Sequence, residues 1–119
     1  MRKEERLTRA EDFAALRRRG RTVSDRLLVM KTRPNALEVS RFGFAVGGRL
    51  GKAVVRNKIK RRLREIVRLL GVQPGLDVLL IARIGAVEAD YDSLKRSVAS
   101  LIDRTDVRTS VLETLPRSK

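Results

Sequence analysis

Residues 47–70, GGRLGKAVVRNKIKRRLREIVRLL, constrain this chain more than any other stretch. Spaced at helical periodicity, Val55, Ile59, Leu63, Ile66, Val67 and Leu70 fall within about a third of the circumference. Asn57, Lys60, Arg61, Arg64 and Arg68 gather on an adjoining arc, with Lys58, Arg62 and Glu65 beyond them. The stretch therefore predicts an amphipathic helix with one face to bury and one that carries a dense positive field. Gly71 supplies its C-cap, and Pro74 prevents continuation.

That field is only partly balanced by the rest of the chain. Twenty-eight Lys and Arg stand against fourteen Asp and Glu over 119 residues, a formal charge of +14. Such a chain repels itself and calls for a polyanionic partner. Like charges three or four apart on a helix oppose each other, and Lys60–Arg64, Arg61–Arg64, Arg64–Arg68 and Lys58–Arg62 are all such pairs. A surface helix for membranes carries Trp or Phe at the interface, and this one has no aromatic. Nucleic acid is the better partner.

Two absences narrow the chemistry. With no His, the usual general base near neutral pH is missing, and with no Cys there is neither a thiol nucleophile nor a Cys-based zinc site. Residues 46–53 resemble a phosphate loop only superficially. Val46 stands where the first Gly belongs, and Ala53 lacks the magnesium-binding hydroxyl. The acids near the N-terminus (Glu4, Glu5, Glu11, Asp12) and near the C-terminus (Asp90, Asp92, Asp103) form no strand-borne cluster for two-metal chemistry. No catalytic residue and no metal ligand is expected in the protein. The N-terminus lacks the apolar core of a signal peptide and no apolar run approaches a membrane span, so a cytoplasmic protein is expected.

Along the chain, residues 1–6 and 105–119 are expected to be mobile ends of a single domain, 1–119. Thr8 to Glu11 has the form of a capping box for a first helix ending near Arg19, with Ala10, Phe13, Ala14 and Leu16 facing inward and Gly20 as its stop. Arg17, Arg18, Arg19 and Arg21 form a second basic cluster there, suited equally to the helix's negative pole and to nucleic acid. Residues 26–32 and 37–46 read as an antiparallel hairpin turned at Pro34-Asn35, with a bulge near Ser40. Residues 77–84, DVLLIARI, are too apolar for an edge and read as a central strand. Asp90 caps a last helix whose Leu94, Val98, Leu101 and Ile102 share a face. The order is helix, strands, helix, strand, helix: an α+β or α/β sandwich.

The segment 52–65, KAVVRNKIKRRLRE, closely resembles the Arg-Asn-Arg signature of the protein subunit of bacterial ribonuclease P. Supporting positions run through most of the chain: Arg6-Leu7, Glu11-Asp12-Phe13, Gly20, Phe42-Gly43-Phe44-Ala45-Val46 and Leu80-Ile81-Ala82-Arg83. The resemblance implies an α+β fold, a small mixed sheet with about three helices in α-β-β(-β)-α-β-α order and a left-handed βαβ crossover. It implies a protein that binds a catalytic RNA, which removes the 5′ leader of precursor tRNA with magnesium that the RNA uses. Carried over by position, Lys52, Arg56, Asn57, Lys58, Lys60, Arg61, Arg64 and Arg68 face RNA, and Phe13 lines a leader cleft. Lys58 stands where the signature often has Arg, which keeps the charge and loses the planar fork. Arg17 and Lys31 occupy cleft positions that are aromatic in some relatives, which shifts leader recognition from stacking toward phosphate contacts. The implied partners are the catalytic RNA and precursor tRNA, with neither membrane nor DNA. A ribosomal or RNA-chaperone protein without a role in cleavage is the competing expectation.

Overall fold

A computed structural model describes residues 5–105; most of the expected mobile ends, 1–4 and 106–119, lies outside them. Helix α1 (Ala10–Arg19) is followed by β1 (Arg21–Ser24), β2 (Leu28–Pro34) and β3 (Arg41–Ala45). Helix α2 (Ala53–Leu70), β4 (Leu76–Ala82) and α3 (Tyr91–Thr105) complete the α+β order. Short 3-10 turns at Gly48–Leu50 and Ile84–Val87 precede α2 and α3.

The four strands lie in the order β1-β2-β4-β3. β4 pairs antiparallel with β2 and parallel with β3, so β3-α2-β4 is a βαβ unit. The central placement of β4 agrees with its composition, since six of its seven residues are buried. The expected hairpin between residues 26–32 and 37–46 does not form, because β4 separates β2 from β3. Pro34-Asn35 does turn the chain, but it turns it out of the sheet. The Asn35 amide donates to Gly75 O at 2.8 Å, and Asn35 Nδ2 donates to Val39 O at 3.1 Å and to Asp77 Oδ1 at 2.9 Å. Ser40 donates to Gln73 O and accepts from the Leu76 amide at 3.0 Å, so it closes a loop and no bulge is needed there. Strand β1 was not marked by the residue pattern, although the order implied by the resemblance left room for a further strand before α2. It is four residues long, and only Val23 and Ser24 are half-buried.

Alternation along the strands divides the apolar residues between two faces. Leu28, Met30, Val78 and Leu80 join Ile59, Leu63, Ile66 and Val67 of α2 and Leu94, Val98, Leu101 and Ile102 of α3 in one large core. On the other face Leu79 is buried with only Leu7 and Leu16, helped by half-buried Phe13, Ala45 and Ile81. Leu16 is fully buried while Ala10 and Ala14 are exposed, so α1 sits in a different phase from the one expected. Its N-cap is Arg9, without a side-chain cap bond, and Arg9 pairs with Glu11 at 2.7 Å. That pairing takes the Glu which a capping box at Thr8 would have used. Asp90 caps as expected: its Oδ1 accepts the Ser93 amide at 2.8 Å, and this bond first of all holds its carboxyl below the ordinary value.

Two polar tethers fix the sheet ends. Buried Asp77 on β4 takes Arg41 Nε at 2.8 Å and Nη2 at 2.7 Å. Arg41 is held above its ordinary pKa, first by these hydrogen bonds. In the β1–β2 turn, Asp25 Oδ1 accepts the Leu27 and Leu28 amides, both at 2.9 Å, and its Oδ2 accepts the Ser97 hydroxyl of α3 at 2.6 Å.

Removing one partner of a buried ion pair strands the other, so Asp77→Ala is expected to lower unfolding free energy by about 3 kcal/mol, read from the denaturant midpoint. Burial pushes the Asp25 carboxyl up, but the Ser97 hydroxyl, the Leu28 and Leu27 amides and the Arg104 charge outweigh it and hold the group below its ordinary value. The folded state thus binds this proton more weakly than the unfolded chain. The stability it contributes is present above the unfolded pKa near 4 and is lost as pH falls through the folded value. Asp25→Asn is expected to flatten the fall in thermal midpoint between about pH 5 and pH 3 relative to the parent.

Candidate nucleic-acid interface

Helix α2 forms because Ile59, Leu63, Ile66 and Val67 bury one stripe, and it ends where Gly71 takes a φ of 76° that side chains resist. With that stripe inward, Lys52, Asn57, Lys58, Arg61 and Arg68 are exposed, and Arg56, Lys60 and Arg64 are half-buried. The eight positions, from Lys52 to Arg68, occupy about 24 Å of helix axis. The first turn holds no acid, and Lys52 at the N-cap makes no side-chain cap bond. Cations at this end add to the positive pole of the helix, at a cost of about 0.3–1 kcal/mol each, which an anion relieves. Arg56 bends back, Nε to Gly51 O at 3.0 Å. Arg62 lies off the arc, as expected, and its Nη1 reaches Ala89 O at 3.3 Å.

On the α1 side of the sheet, the Phe13 ring packs against Gly43. A Cβ added there would stand 2.6 Å from Phe13 Cε1, so the glycine permits this contact. Register places Thr22, Lys31, Leu79 and Gly43 in one row across the four strands. Phe13 and Lys31 therefore mark the two ends of a span about 10 Å wide. Lys31 is half-buried and donates from Nζ to Thr22 Oγ1 at 2.9 Å. The neighbouring row, Val29, Ile81 and Ala45, is half-buried and forms an open apolar floor. Sequence reasoning missed this floor, although apolar residues at successive positions of β4 were its signal. Arg17, one turn beyond Phe13, is exposed.

The basic helix and this cleft meet at the β3 edge. Phe13, Gly43 and Phe44 line a depression of about 180 Å³ together with Lys60, Arg64 and Arg6. Arg64 Cζ stands 6.0 Å from the Phe44 ring centroid, at the outer limit of a cation–π contact. Lys60 and Arg64 are thus shared between the two surfaces, whereas Arg17 and Lys31 do not line the depression. Among the described residues no group of three or more His, Cys, Asp or Glu could hold a metal ion, and no helix is long and apolar enough to cross a membrane.

A four-stranded mixed sheet with two helices on one face, one on the other and a basic crossover helix defines a class of small α+β proteins already seen in solved structures. The RNase P protein of Staphylococcus aureus superposes with a TM-score of 0.82 at 29% identity, covering 88% of this chain and 98% of that one. The RNase P protein of Thermotoga maritima gives 0.77 at 30% identity, covering 84% and 96%. Among relatives, the ribonuclease P protein component of Roseiflexus castenholzii is 41% identical over 119 residues, 98% of each chain. That of Caldanaerobacter subterraneus subsp. tengcongensis is 41% identical over 101 residues, 83% of this chain and 87% of that one. The Ribonuclease P family model matches residues 1–106, and the chain belongs to that family.

Asn57 and Arg61 are exposed and lack core contacts, so Asn57→Ala and Arg61→Ala are expected to unfold as cooperatively as the parent, within about 0.5 kcal/mol. Thermal unfolding of both variants checks this.

Proposed function

We propose that this protein is the protein subunit of an RNA-based endoribonuclease that removes the 5′ leader from precursor tRNA. Membership of the ribonuclease P family makes it a subunit of a ribonuclease. The single observation that carries the finer reading is the junction at β3, where the cationic arc of α2 and the Phe13 cleft share Lys60 and Arg64. One surface suits a folded RNA, the adjoining one suits a single strand, and a substrate strand leaving the first meets the second.

In this reading Lys52, Arg56, Asn57, Lys58, Lys60, Arg61, Arg64 and Arg68 contact the catalytic RNA. Phe13, Arg17 and Lys31 hold the leader, the ring by stacking on an unpaired base and the two cations by phosphate contacts. Catalysis belongs to the RNA, which supplies the magnesium sites for hydrolysis. The protein contributes phosphate neutralisation, which lowers the magnesium concentration needed, and preference for substrates that carry a leader. With about 6–10 phosphate contacts, RNA affinity falls on the order of 10³–10⁵-fold between about 50 and 200 mM salt.

The test is cleavage of a 5′-extended precursor tRNA by the cognate catalytic RNA at low magnesium, with and without the protein. Cleavage at the mature 5′ end that depends on the protein is the expected result, weakened by Asn57→Ala or Arg61→Ala. A folded, RNA-binding protein without effect on cleavage would move the assignment to a ribosomal or chaperone role.

A further inference from the structure

Arg41 joins helix α1 to the sheet. Its Nε and Nη2 engage the two carboxylate oxygens of buried Asp77 on β4, at 2.8 and 2.7 Å. Its third nitrogen, Nη1, lies 3.4 Å from Asp12 Oδ2 in the first turn of α1. Asp12 Oδ2 is shielded from solvent and accepts no hydrogen bond, so the Arg41 charge is what compensates it. Asp12 immediately precedes Phe13. Arg41 stands two residues before Gly43, on the same face of β3. Helix α1 is therefore pinned to β3 at two consecutive points: the ion pair at residue 12, and the ring of residue 13 over Gly43.

We infer that Asp12 and Arg41 are positioning residues that set where the Phe13 ring sits, and so the width of the leader cleft. The sheet does not need Asp12, because Asp77 already holds Arg41 and Asn35 Nδ2 gives Asp77 a further hydrogen bond at 2.9 Å. What Asp12 adds is a link between α1 and the sheet. Only an arginine can supply it, since the single ammonium of a lysine cannot grip both oxygens of Asp77 and reach Asp12 as well. The small core under α1, with three buried residues, leaves the helix few other constraints.

The inference rests on the leader-cleft reading, and the experiment separates the two. In the holoenzyme reconstituted with the catalytic RNA, affinities for precursor tRNA with a 5′ leader and for mature tRNA are measured for the parent, Asp12→Asn, Phe13→Ala and the double variant. Affinity of the protein for the catalytic RNA is measured alongside. Asp12→Asn is expected to lower the precursor-over-mature ratio about fivefold, the worth of a partly buried ion pair. It should leave affinity for the catalytic RNA unchanged and cost nothing further once Phe13 is Ala. An unchanged ratio in Asp12→Asn alongside a lowered one in Phe13→Ala would overturn the inference, as would additive losses in the double variant. If Phe13→Ala also leaves the ratio unchanged, the cleft reading itself fails and takes the inference with it. Asp12→Glu, which keeps the charge but lengthens the arm by one methylene, serves if the Asn variant does not fold. The same lowered ratio is expected there, and an unchanged one overturns the inference.

Discussion

Leu76, Val78, Leu80 and Ala82 are buried against α2 and α3, while Leu79, between them, is buried against Leu7 and Leu16. A strand closed from both sides can stand only in the middle of a sheet, so β4 takes the central place and the other strands arrange themselves around it. Two features of the candidate site follow. The large core requires α2 to lie along the β3 side, which turns its basic arc outward. The small core leaves the opposite face partly uncovered, and the cleft is what remains of that face.

Helix α2 illustrates how tertiary packing overrides local electrostatics. Its sequence places cations at the positive pole and repeats them three and four residues apart, both unfavourable in isolation. It holds because Ile59, Leu63, Ile66 and Val67 are almost fully buried, and apolar burial of about 2 kcal/mol per side chain exceeds the charge penalties. The charges are therefore tolerated by the fold, and their use lies outside it.

The long periodic elements were legible in the sequence. The apolar stripes of α2 and α3, the Gly71 and Asp90 caps and the central place of β4 all follow from residues within one element. What could not be read depended on residues far apart. Asn35 turns the chain away from a hairpin because it bonds Asp77, forty-two positions later, and no local pattern announces that bond. Strand β1 is too short for a period. Helix α1 misled because Ala10 and Ala14 suit either face, while a single Leu16 decides the phase. In the candidate site, the exposure of Asn57, Lys58 and Arg61 was readable from the helix wheel. That Lys60 and Arg64 would meet Phe13 was not, since it depends on where α2 crosses β3.

The two rims of the sheet have a consequence for how the molecule behaves among its own copies. One rim is β1, only four residues long, with Arg21 at its start. Along the other, β3 is partly covered by its own N-terminal segment, where Arg6 bridges to Phe42 and the Leu7 amide donates to Phe42 O at 2.9 Å. Among the described residues, neither rim offers a long, bare row of backbone groups for a neighbouring strand to extend, which is the usual route from a small sheet to a fibre. The net charge of +14 adds repulsion between like molecules at a distance, so shape and field both disfavour strand-to-strand pairing between copies.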